Sequence, residues 1–152
     1  MKWVNPPVAF MMHAGVPRLI AAGAHLPGLL DGDPQRVALE AYPGLLARSV
    51  LGAVSYKSDD KARQTGERLI ARKTLVNALE NGQAPLLQAA GLRLRLTHAQ
   101  RDDLADDASG DRLDAVLCLM QAAWAHQQAE AGAPCWGLLD GLDPVEGWIL
   151  SA

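Results

Sequence analysis

The sequence predicts a single α/β domain. A short apolar run at 36–41 (RVALEA) is bounded by turn signals and reads as a buried strand. Leu92, Leu94 and Leu96 alternate with Arg93 and Arg95, the period of a half-buried strand. A long stretch from Asp111 places Leu113, Val116, Leu117, Met120 and Trp124 at helical spacing. At 152 residues and 49% hydrophobic content, the chain is sized for one core and leaves no room for a second independent domain.

Taken in order, residues 1–14 lack periodicity, and Pro6 and Pro7 predict an extended lead-in. Residues 17–22 predict a short helix that Gly23 ends, and the Gly- and Pro-rich stretch 27–34 predicts a turn. The strand at 36–41 then carries Glu40 toward the sheet's C-terminal edge, where α/β folds place their sites. Pro43 cannot continue a ladder and opens a helix near 44–50. A longer helix is predicted over 59–80, its apolar face formed by Leu69, Ile70, Val76 and Leu79 and its end marked by Gly82. The strand at 92–96 and a short helix from Thr97 follow, then the helix over 111–129. In the Gly- and Pro-rich tail, Trp136 and Trp148 are the expected packing anchors.

Composition excludes several classes of function. No apolar stretch approaches the roughly 20 residues that span a bilayer, and the N-terminus lacks the features of a signal peptide. Cys118 and Cys135 are the only cysteines, without CxxC spacing, so neither a disulfide framework nor a structural zinc site is expected. The reducing cytoplasm is the expected location. The formal net charge of −3 conceals an asymmetry. Residues 57–73 hold six bases (Lys57, Lys61, Arg63, Arg68, Arg72, Lys73) against three acids, whereas residues 102–114 hold six aspartates against Arg112. A basic segment beside an acidic one suits an enzyme of phosphate esters. Two solvated helix faces of opposite sign would give the same pattern.

Three carboxylates stand out. Asp111 and Asp114 project from one side of the last helix's first turn, in a pattern that also approximates a capping box at a favourable dipole end. Glu40, inside an apolar run, is costly to bury without a partner, and Arg36 or Arg112 are the structural candidates. Lys57, Arg63, Arg68 and Arg72 are candidate nucleic-acid contacts, with a solvated helix face as the alternative. Tyr42 stacks on a base or packs at a strand end. The four histidines show no ligand spacing, and Ser55 has no evident base.

The segments RVALEAYP around Glu40, SYK at 55–57, SGDRLDAVLCLMQAAWA around Asp111 and Asp114, and DPVEGWI near the end together resemble the bacterial proteins grouped as domain of unknown function 429. These are regarded as predicted nucleases with a ribonuclease H-like fold. The resemblance runs from about residue 11 onward. It implies dispersed carboxylates holding one or two Mg²⁺ or Mn²⁺ ions, and carries that role onto Glu40, Asp111 and Asp114 as metal ligands and catalytic residues. Such ions prefer oxygen ligands and in pairs clamp the attacking and leaving oxygens of a phosphodiester. It also implies three leading strands and an opening aspartate ahead of Pro17. Residues 1–14 are too few to hold them, so the expectation is a helix-rich ribonuclease H-like domain lacking its leading strands. Two functions follow: a metal-dependent nuclease of unstated substrate, or a non-catalytic binding or assembly module of the same fold. The bare strand edge predicts a homodimer completed through Trp3, Val4, Val8 and Phe10.

Overall fold

The computed structural model describes residues 6–139, 141, 143 and 148–150, with side chains from residue 9 onward. Among the described residues, six helices and one small parallel sheet follow in the order α1 (Pro6–Ala21), β1 (Ala24–His25), β2 (Asp33–Val37), α2 (Pro43–Leu51), α3 (Gly66–Asn81), α4 (Pro85–Ala90), α5 (His98–Asp106) and α6 (Asp111–Glu130). Short 3₁₀ turns occur at Lys61–Arg63 and Pro134–Gly137. The molecule is helix-rich with a two-stranded parallel sheet, consistent with the α/β class.

Helix α1 corrects the extended lead-in, because residues 6–21 form one continuous helix that contains Pro17. Its side chains are largely exposed, with Phe10 at 66%, so this segment is not the pairing strand expected of it. Trp3 and Val4 lie outside the described residues, as does the side chain of Val8.

The strand expected at 36–41 is displaced toward the N-terminus. β2 ends at Val37 and pairs with β1 in the register Ala24↔Asp33 and His25↔Val37, across an irregularity. The Asp33 side chain accepts from Gln35 N and from Arg36 Nε, both at 2.9 Å, and so holds the strand's start. Past Ala38, whose N–H reaches His25 O at 2.9 Å, the ladder to β1 ends, and Glu40 O instead accepts Leu150 N at 2.8 Å. Glu40 consequently leaves the sheet and is exposed, which removes the burial cost that singled it out.

The principal core is helical. Leu46 and Ala47 of α2, Leu75, Val76 and Leu79 of α3, Leu87 of α4, Leu104 of α5, and Leu113, Leu117 and Met120 of α6 form one buried cluster with Tyr56. Pro43 opens α2 as expected, and Gly82 ends α3 in the left-handed conformation. Thr97 begins α5 with a capping box to Gln100. On α3 the buried stripe is Ala71, Arg72, Leu75, Val76, Ala78 and Leu79. Ile70, assigned to the apolar face, is instead 65% exposed.

Residues 92–96 do alternate between half-buried leucines and exposed arginines, yet they form no strand. They lie extended along α3, with Leu94 N bonded to Leu79 O at 3.0 Å, and no strand stands beside them to make a ladder. The leucines are satisfied by packing on the helical cluster.

A second, smaller cluster gathers Ala125, Leu138 and Leu150 with Leu39, Trp124, Cys135 and Trp136. Trp136 serves as an anchor, tilted against His25 at 5.5 Å between ring centres. Trp148 does not, being exposed. Both cysteines are free thiols. No helix among the described residues is long and apolar enough to cross a membrane.

Candidate functional site

The loop between α2 and α3 lies against the N-terminal turn of α6, and Gly110 makes that approach possible. Its φ of +75° suits glycine, and a Cβ there would sit 2.7 Å from Cβ of Lys57. The stem of Lys57 crosses this bare backbone, while Ser58 N reaches Ala108 O at 3.3 Å. The lysine's ammonium thereby meets Asp114 Oδ2 in an ion pair. The other carboxylate oxygen, Oδ1, accepts the Tyr56 hydroxyl at 2.5 Å. Asp114 is thus engaged on both oxygens by adjacent residues of one loop.

Tyr56 is buried in the principal core apart from this hydroxyl contact. Burial pushes its phenol far above the usual tyrosine range, and the hydrogen bond to Asp114 and that carboxylate's charge push the same way. Cys118, one turn beyond Asp114, is also raised, first by burial and then by the same carboxylate.

Beneath the loop lies Arg72, only 5% exposed. Its Nε donates to Ala105 O at 2.6 Å and its Nη1 to Tyr56 O at 2.9 Å. The guanidinium fastens the Tyr56 backbone to the C-terminal turn of α5, where helix carbonyls lack intrahelical donors. Its reading as a solvated base and nucleic-acid contact is therefore corrected: Arg72 supports the site from within.

Above these groups opens a cleft of about 340 Å³ lined by Tyr42, Pro43, Gly44, Ala47 and Arg48 of α2 and its lead-in, by residues 52–57, and by Asp114. Tyr42 is 48% exposed at its rim, its ring lying over Gly44, where a Cβ would meet it at 2.9 Å. This replaces the expectation that Tyr42 packs at a strand end. A second depression of about 490 Å³ adjoins the cleft through Val54 and Ser55 and is otherwise lined by Ala62, Arg63, Thr65, Glu67 and Arg68.

The remaining candidate carboxylates lie elsewhere. Asp111 is the first residue inside α6 and exposed, its Oδ2 accepting the Ser109 hydroxyl at 3.0 Å. It is not the helix cap. The N-cap is Gly110, and Asp107 takes the capping role, its Oδ2 accepting Arg112 N at 2.9 Å. Burial pushes the Asp107 carboxyl up, but donors from Arg112, Ser109 and Gly110 outweigh it and leave the group below its ordinary range. Glu40 lines a separate small depression with Leu26, Pro27, Leu29, Ala38, Leu39, Leu138 and Trp148. Neither proposed structural partner reaches it, since Arg36 pairs with Asp33 and Arg112 with Asp103.

These placements bear on the fit to a divalent ion. Among the described residues no three His, Cys, Asp or Glu side chains stand together to hold a metal. At Asp114 the neutralising cation is the protein's own Lys57. As arranged, Glu40, Asp111 and Asp114 do not form one ion site. Of the DPVEGWI segment, Asp143, Trp148 and Ile149 are described and residues 144–147 lie outside the described residues.

Sequence reasoning singled out Asp114 but missed Tyr56, Arg48, Gly110 and the roles of Lys57 and Arg72. The signals were the Tyr-Lys pair in SYK and a glycine directly before the acidic helix start. No protein-family model, no curated protein and no solved structure matches the chain. The resemblance to domain of unknown function 429 rests on its four segments.

Proposed function

We propose that the chain binds a nucleotide, through its base and its phosphate, in the cleft between Tyr42 and the Tyr56–Lys57–Asp114 group, as the binding module of a ribonuclease H-like domain. The observation that carries this reading is the open cleft whose lining brings an exposed tyrosine at the rim together with Arg48 and Lys57. An aromatic face and cations on one concave surface match the base and the phosphate of a nucleotide. Arg48 supplies a planar fork of donors suited to phosphate oxygens. The four sequence segments support the ribonuclease H-like assignment.

Asp114 favours a second reading, divalent-metal-dependent phosphodiester hydrolysis, because its carboxylate borders the same cleft on the first turn of α6. That reading requires further carboxylates, Glu40 and Asp111 among them, to join Asp114.

Calorimetric titration with thymidine 5′-monophosphate, paired with turnover of bis(p-nitrophenyl) phosphate in Mn²⁺, tests both readings. Binding that is lost in Tyr42→Ala and Arg48→Gln, without turnover, establishes the module. Turnover that requires Mn²⁺ and disappears in Asp114→Asn establishes the hydrolase. Neither binding nor turnover overturns both.

A further inference from the structure

We infer that the cleft and the depression beyond Val54 and Ser55 form one continuous groove for single-stranded nucleic acid, holding at least two consecutive nucleotides. This inference rests on the nucleotide-binding reading of the cleft and extends it to a polymer.

Three observations carry it. The two concavities share Val54 and Ser55 as a common wall. Each, at about 340 and 490 Å³, lies within the range of about 300–1,000 Å³ typical of small-ligand sites, so each is large enough for one nucleotide unit. The lining holds a surplus of basic side chains, Arg48 and the Lys57–Asp114 pair on one side of the wall and Arg63 and Arg68 with Glu67 on the other, as suits a polyanion.

The second depression differs from the first in a way that suits phosphate. Lys57 is neutralised by Asp114, whereas the guanidiniums beyond Val54 are only lightly engaged. Arg68 Nη1 donates to Arg63 O at 2.5 Å, and Arg63 Nε lies 3.4 Å from Asp60. A guanidinium carries five N–H donors. These contacts therefore orient the two forks and leave donors free for a bridging phosphate.

Val54, an apolar side chain 57% exposed on the dividing wall, is placed to stand between the bases of two neighbouring nucleotides, one in each concavity. The first base then lies against Tyr42. A duplex keeps its bases stacked and paired, and offers neither a π-face to Tyr42 nor a gap for Val54. The occupant is therefore a single strand.

The test is fluorescence anisotropy with labelled octathymidylate, an unlabelled duplex competitor, and a parallel calorimetric titration with thymidine 5′-monophosphate. Octathymidylate is expected to bind at least tenfold more tightly than the mononucleotide and to resist competition by duplex. The double variant Arg63→Gln/Arg68→Gln should weaken octathymidylate about tenfold while leaving the mononucleotide unchanged. Its salt dependence should fall by about 0.7 in log K against log[salt], since the two forks share one bridging phosphate and each single-strand phosphate contact contributes about 0.7. Val54→Glu, a change at an exposed position, should reproduce the loss for the oligonucleotide with an unchanged melting temperature. Mononucleotide binding that survives while octathymidylate binds no tighter, or is indifferent to both variants, overturns the groove and leaves the cleft reading intact. Loss of mononucleotide binding in the double variant, or preference for duplex, also overturns the groove. Failure of the mononucleotide to bind the wild-type chain removes the cleft reading on which the groove rests.

Discussion

Arg72→Met is the perturbation that most directly probes how the site is built. Methionine retains much of the apolar stem of this buried side chain but removes both donors. Ala105 O and Tyr56 O then lose partners now at 2.6 and 2.9 Å, at about 1–3 kcal/mol for each buried acceptor left unsatisfied. The α5 C-terminus also loses a cation, worth up to about 2 kcal/mol in partly buried settings. Relief from desolvating the guanidinium offsets part of this, since burying a charge costs several kcal/mol. The net expectation is a loss of about 3 kcal/mol, or about 6–12 °C in Tm for a chain of this size. Urea unfolding followed by tryptophan fluorescence measures it, and Arg72→Lys, able to reach one carbonyl, should lose about half as much. Stability of Arg72→Met equal to or above that of the wild type would refute the role assigned to this guanidinium.

The other predictions concern the groups around the cleft and on the surface. In the folded state the Tyr56 phenol stays protonated above its ordinary value of about 10, so its contribution is present below about pH 10 and is lost as pH climbs beyond it. In Tyr42→Phe, which leaves one tyrosine, tyrosinate absorbance should appear only together with unfolding, and a simple titration near pH 10 in the native protein would contradict this. Gly110→Ala should cost about 2–3 kcal/mol, because it combines a left-handed φ, a penalty of about 1–2 kcal/mol, with the Lys57 contact at 2.7 Å; it should also weaken mononucleotide binding. Hydrogen bonds from Arg101 hold the Glu80 carboxyl below its ordinary range against the opposing effect of burial. That stabilisation is present above about pH 4.3 and is lost as pH falls, so Arg101→Gln should flatten the acid limb of a pH–stability curve. Glu40→Gln should leave stability within about 0.5 kcal/mol in metal-free buffer, as expected for an exposed site. A Mn²⁺-dependent stabilisation of the wild type that the variant lacks would instead return Glu40 to a metal set.

Elements whose identity depends on local chemistry were legible in the sequence. Pro43 at the start of α2, Gly82 at the end of α3, and Thr97 with Gln100 at the start of α5 each satisfy or remove a backbone group within four residues, and such signals survive any tertiary context. Strands were not legible, because a strand is completed by a neighbour that pattern does not reveal. Residues 92–96 carry the alternation of a half-buried strand and have its burial, yet a helix receives their leucines. Residues 36–41 read as one apolar run, but pairing with the two-residue β1 ends at Val37, and Glu40 O is met instead by Leu150 N of the tail at 2.8 Å.

The same distinction explains which parts of the site sequence reasoning found. Asp114 was visible because an acid on the first turn of a long helix is recognisable by position alone. Its partners come from a loop more than 50 residues earlier, and the SYK segment that carries them does not by itself reveal that they meet Asp114. Arg72 was misassigned for a related reason, since periodicity sorts a helix into apolar and charged faces and places arginine on the solvent side. Here the stripe that buries Leu75, Val76 and Leu79 also carries Arg72. The acceptors that make this tolerable, Ala105 O and Tyr56 O, exist only once α5 and the loop have packed on α3. A buried cation that donates to backbone carbonyls of two other elements is thus a product of tertiary structure. Its position beneath Tyr56, whose hydroxyl holds Asp114 at the edge of the cleft, links the packing of α3 on α5 to the shape of the ligand site.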